Sequence, residues 1–240
     1  MTFPDDSLQS LVASSSWWEK TDSSTIERGF LVKAFLPHVD QIPMTVVPVG
    51  RQEARIHEKA IVKIAPLNIK TPRTREDLPV AAMTLSDKEV WAAYRAKLRP
   101  CLILSKTRQI VEPEVRRNQP KRSTAQTFLV APYYGIDQDG TRAGYNPEFV
   151  ERVRHLRYPQ FVWDMLPIGG VKESLLRLDH LQPVGRDYNS FEKTGYKLSA
   201  DALEILDDVF NLYLFDKVRE GSDLLEYLNL MDTYFYHSKL

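Results

Sequence analysis

Short apolar runs of strand length recur along this chain, cut by proline and turn residues, with no regular strand–helix–strand alternation between them. IERGFLVKAFLPHV alternates with Phe30, Val32, Ala34 and Leu36 on one face, the period of a half-buried strand. MTVVPVG and KAIVKIAPL follow as two strands, read as a hairpin closed through Gly50 to Glu58. CLILS, TFLVAPYYG, QFVWDML and SLLRLDHLQPV are further strands, the last two flanking a PIGGVKE turn. Parallel sheets need helical crossovers, so this order points to a small, mainly antiparallel barrel in a β-rich α+β chain.

Helices interrupt and close the pattern. SDKE is a capping box, Ser86 with Glu89, and predicts a helix through VWAAYRAKL with Trp91, Tyr94 and Leu98 on its buried side. NPEFVERVRHL predicts a second, capped by Asn146 with Pro147 in its first turn. Ser199 opens a third, with Leu203, Leu206, Phe210 and Leu214 at helical spacing, and Gly221 separates it from a last helix. Trp17 and Trp18 stand in a Ser-rich leader and are expected to dock on the domain. At 240 residues, the chain suffices for one elaborated domain or two small ones. Cys101, the single cysteine, lies inside an apolar run and reads as a buried core thiol. No signal peptide and no bilayer-length apolar run is visible, and the expectation is a cytoplasmic protein without membrane contact.

Charge is uneven, although the 32 basic and 32 acidic residues cancel. Arg51 to Arg75 carries a net +5, Lys106 to Arg122 a net +4, and Ser199 to Leu240 a net −6. Two readings fit: a polyanion site on the basic side, or solvated loops beside an acidic helical surface. The five histidines lack metal-ligand spacing, and neither a phosphate-binding glycine loop nor HExxH nor GxSxG occurs, so no metal or cofactor is expected. Arg99 stands with Pro100 before CLILS. Its planar fork suits a phosphate; a solvated strand-entry arginine would occupy the same place.

The ordered set ERGFLVKAFLP, RPCLILS, FLVAPYYG and KESLLRLDHLQPV, closed by GYKLSADALEILDDVFNLYLF, resembles the PemK/MazF family of toxin ribonucleases. The resemblance covers residues 26–37, 97–135 and 157–216. It implies an SH3-like barrel of the PemK/MazF/CcdB kind over 26–216, with insertions at 38–96 and 138–157. An N-terminal extension would fill 1–25 and a C-terminal helix 217–240. It further implies a bacterial, commonly dimeric endoribonuclease that cuts single-stranded RNA to a 2′,3′-cyclic phosphate without a metal, under the control of an antitoxin.

On this resemblance the catalytic pair is Arg99, the Arg-Pro arginine, and Tyr134, which stands where the family carries Thr or Ser. Ser105, Ser174 and Asp179 match positions of supporting role; His180 replaces a usual Gln, and Gln182 a frequent Arg. Lys106, Arg108, Arg116, Arg117, Lys121 and Arg122 would meet the RNA backbone, and Tyr133 could stack on a base. The alternative is a catalytically inactive barrel of the same family that binds RNA or a protein.

Overall fold

The computed structural model describes residues 5–12, 16–53, 55–56, 59–68, 70, 85, 88–106, 109–119, 123–138, 144–170, 172–186 and 189–237. The chain divides into two compact units, Phe35–Lys97 and the remainder. Arg108, Lys121, Arg122 and the expected cap residue Ser86 lie outside the described residues.

The larger unit is built on an antiparallel sheet that curls into a half-barrel. Its strands are β1 (Trp18–Lys20), β2 (Phe30–Pro37), β6 (Ala96–Ile103), β7 (Thr127–Gly135), β8 (Phe161–Leu166), β9 (Lys172–Arg177), β10 (Gln182–Gly185) and β11 (Glu192–Leu198). The order is β1-β11-β2-β6-β7-β9-β8, with β10 also on β7. Strand β7 organises this sheet. Tyr133 and Tyr134 pair Leu176 and Leu175 of β9, while Phe128 and Val130 pair Val184 and Gln182 of β10. Pro132, in the gap between those pairings, has no N–H to give a ladder. The chain there leaves the edge as a 3-10 turn, Leu178–His180, which lifts Asp179 and His180 off the sheet.

The two sheet faces carry different cargo. The inner face packs Leu31, Leu102, Tyr133, Leu176 and Leu198 against Ala202, Ile205, Leu206 and Val209 of α2 (Ala200–Phe215). Ser199 caps α2 by accepting from the Ala202 N–H at 3.2 Å. Helix α3 (Asp223–His237) contributes Leu224 to the same core. On the outer face, α1 (Pro147–Arg154) lays Val150 and Val153 on Trp163 and Leu175. The Asn146 carboxamide accepts from the Glu148 N–H at 2.8 Å and starts that helix. Trp17 is buried, and Trp18 opens β1, so the tryptophan pair does dock on the domain.

Gly29 joins sheet and helix. Its φ is +87°, and a Cβ there would stand 3.1 Å from the Leu203 side chain of α2. Arg28 beside it donates to the Leu104 carbonyl at 2.8 Å and pairs with Asp207 of α2. Gly29→Ala should cost about 1–3 kcal/mol from the left-handed backbone alone. An unchanged urea midpoint in that variant would show that this turn relaxes without cost.

The smaller unit holds the hairpin β3 (Met44–Arg51) and β4 (Ala60–Pro66), with β5 (Ala92–Ala93) on the other edge of β3. The hairpin agrees with expectation. The helix expected through VWAAYRAKL does not form: Ala92 and Ala93 pair Thr45 and Met44, and β6 starts at Ala96. Trp91, Tyr94 and Leu98 are exposed rather than lining a buried side. Pro100 disfavours helical backbone at Arg99, and ladder bonds to β3 outweigh the local helix propensity of the alanines. Among the described residues, no helix is long and apolar enough to cross a membrane.

Candidate functional site

Strand alternation sends Tyr133 and Tyr134 to opposite faces of β7. Tyr133 goes inward; it is buried, and its hydroxyl donates to Asp164 at 2.7 Å. It therefore offers no surface for a base to stack on, which corrects the RNA-binding role expected of it. Tyr134 goes outward.

Cys101 pairs Pro132, and the same register continued by two residues sets Arg99 opposite Tyr134. The Arg99 guanidinium lies 3.9 Å from the centre of the Tyr134 ring. A second guanidinium, that of Arg177 at the end of β9, lies 5.4 Å from the same ring and 4.7 Å from that of Phe161. Two cations thus stand beside one phenol on the outer face, and the ring quadrupole takes up part of their mutual repulsion.

The 3-10 turn completes the cluster. Arg177 donates to both carboxylate oxygens of Asp179, at 2.7 Å each. Burial raises the Asp179 carboxyl, but the hydrogen bonds and charge of Arg177 outweigh it and hold the group below its ordinary value. Burial likewise works against the Arg177 guanidinium, yet Asp179 and the Tyr145 hydroxyl keep it above its ordinary value. Arg177 Nη2 also reaches His180 Nε2 at 2.7 Å, and His180 Nδ1 lies 2.9 Å from the Tyr134 hydroxyl. Guanidinium can only donate, so Nε2 accepts and neutral His180 carries its hydrogen on Nδ1. That hydrogen is donated to the Tyr134 oxygen.

The other expected residues lie elsewhere. The Ser105 hydroxyl accepts from the Leu129 N–H at 2.9 Å and fixes the far end of β6. Ser174 is buried, paired with Asp164 on one side and Gly135 on the other. Lys106 is exposed and lines a cavity of about 280 Å³ with Arg28, Leu104 and Phe210. Arg116 and Arg117 belong to the turn that follows, Arg117 exposed and Arg116 half-buried. Ser105 lies six positions past Arg99 in sequence, about 20 Å at strand rise. The basic loop therefore leaves β6 at the end opposite the Arg99 cluster, and Lys106 is not a neighbour of it.

Sequence reasoning missed Arg177, which reads as an ordinary strand residue in SLLRLDHLQPV. Its signal is its spacing: it stands two residues beyond Leu175 and so on the same outer face as Tyr134. Among the described residues, no group of three or more His, Cys, Asp or Glu side chains is placed to hold a metal ion. A guanidinium and a phenol side by side are both groups able to donate hydrogen bonds to an anionic oxygen. No family model matches this chain, and no curated protein matches it.

Proposed function

We propose that this protein is an endoribonuclease that cuts single-stranded RNA with its own side chains, on an SH3-like barrel of the PemK/MazF kind. The convergence of Arg99, Tyr134 and His180 on the outer face carries the reading. The 2′-oxygen of RNA attacks its own phosphorus in line and gives its proton to water. The bond to the 5′-oxygen breaks, leaving a cyclic phosphate and a 5′-hydroxyl. Arg99 forks the non-bridging oxygens, where charge builds in the transition state. Tyr134 gives its proton to the departing 5′-oxygen and is reprotonated from solvent. The two guanidinium groups beside the ring stabilise the phenolate formed meanwhile. His180 is a positioning residue, since it holds the phenol oxygen and takes its own tautomer from Arg177. Control by an antitoxin and a dimeric state belong to the same reading.

A second reading is a binding module, and the separation of Lys106 from the Arg99 cluster favours it, because the cations then track a strand rather than one groove. Incubation with a long unstructured RNA in EDTA separates the two. Discrete cuts ending in 2′,3′-cyclic phosphate are expected, with kcat falling in His180→Gln more than KM rises. Binding without cutting would sink the enzyme reading and leave the module.

A further inference from the structure

Beside the cluster, four aromatic rings keep part of their surface in solvent. Val150, Val153, Trp163 and Leu175 form the buried core under α1, whereas Tyr145, Phe149, Tyr158 and Phe161 are half-buried around it. Three of these rings stand nearly parallel. Tyr145 and Phe149 are 5.6 Å apart at 23°, and Phe149 and Tyr158 are 5.6 Å apart at 25°. Phe149 meets Phe161 edge-on at 80°. Edge-on packing fills an apolar core equally well, and the buried positions are already occupied. A partly open stack instead prolongs a surface on which another flat ring can lie.

Its position gives it a use. The Tyr145 hydroxyl lies near enough to Arg177 to favour its charged form, and Arg177 in turn reaches the Tyr134 ring and His180. The backbone holds Tyr145 there too, because its N–H donates to the Ile136 carbonyl just past the end of β7. The start of the stack thus stands beside the arginine that meets Tyr134 and His180.

We propose that Tyr145, backed by Phe149 and Tyr158, is a nucleobase subsite for the nucleotide adjoining the phosphate at Arg99 and Tyr134, with purines preferred. This rests on the RNA reading above and adds a specificity element to it. A purine offers the larger face to stack on, and stacking tolerates sequence because every base has such a face. Arg177 links the two sites: its guanidinium contacts the rings of Tyr134 and Phe161, so base and phosphate are sensed through one side chain.

The test uses the full-length protein and oligonucleotides that are 2′-deoxy at the scissile position, so that binding is read without cutting. The set differs only in adenine or uracil beside that position. Adenine should bind more tightly, and Tyr145→Leu, which keeps apolar bulk and loses the flat face, should weaken the adenine oligonucleotide about 5- to 150-fold, the range of one lost stack. Tyr145→Phe should retain binding, which a purely structural role for the hydroxyl would not predict. If wild type cuts RNA but Tyr145→Leu binds both oligonucleotides as wild type does, the subsite is wrong and the enzyme reading stands. If wild type neither binds nor cuts, both fall.

Discussion

Arg99→Ala is expected to lower the rate of RNA cleavage by about 10²- to 10³-fold, the loss seen when one preorganised donor to a developing oxyanion is removed. The thermal midpoint should hardly move. Arg99 is half-buried, and its visible partner is the Tyr134 ring at 3.9 Å, a contact of about 1 kcal/mol at such a site. An arginine retained to stabilise the strand would behave the other way, with stability lost and rate kept. Arg99→Lys discriminates further. It restores the charge but not the planar fork, so cleavage should recover in part while weak phosphate binding recovers more fully. Tyr134→Phe tests the other half of the pair. The double variant should be little worse than either single one, because groups that act on one transition state are not additive. Cleavage at the wild-type rate in Arg99→Ala would remove the basis of the enzymatic reading.

Much of what positions this pair is local and was therefore readable. Asn146 and Ser199 announce their helices because a cap is a matter of three or four residues. Phe30, Val32, Ala34 and Leu36 lie on one buried face of β2 as their alternation requires. Cys101 is fully buried, as its apolar run implies. What failed was non-local. The alanines after Trp91 favour a helix among themselves, but Thr45 and Met44, far back in the chain, take them into a sheet. Strand β11 shows no strand signal in the sequence, because Gly195 interrupts the alternation of EKTGYKL at a register shift against β2. Tyr133 and Tyr134 are identical letters with opposite fates, and only the register of β7 against β9 decides which one meets solvent. Arg177 and His180 meet Tyr134 because a 3-10 turn breaks the ladder at Pro132, a geometry that residue spacing alone does not encode.

Asp164→Ala should produce the largest change in stability, and its size relative to Asp164→Asn tells why. The carboxylate is buried under three donors: Tyr133 hydroxyl at 2.7 Å, Trp18 Nε1 at 2.9 Å and Gln9 Nε2 at 2.7 Å. It thereby ties the N-terminal segment to β7 through β8. Burial pushes the Asp164 carboxyl up to about 6, against the opposing pull of those hydrogen bonds. The folded chain thus keeps a proton that the unfolded chain releases near its ordinary value of 3.8. Between those two values the folded state binds more protons, so this group's contribution to stability falls as pH rises and reaches its full penalty, about 3 kcal/mol, above pH 6. Asp164→Asn removes that dependence while its carbonyl still accepts from Trp18 and Gln9, and the Tyr133 hydroxyl can turn to accept from the new amide. Wild type should therefore gain about 2 kcal/mol on Asp164→Asn as pH falls from 7 to 4, read as shifts in urea midpoints. Asp164→Ala strands all three donors, at about 1–3 kcal/mol each, and should lie at least ~3 kcal/mol below Asp164→Asn at pH 7. Equal midpoints for the two variants would mean that water replaces the carboxylate. The consequence for the site follows from β7: Tyr133 anchors the strand from below while Tyr134 presents its phenol above. Asp164→Asn should then leave RNA cleavage intact, whereas Asp164→Ala should lose rate even at temperatures where it remains folded.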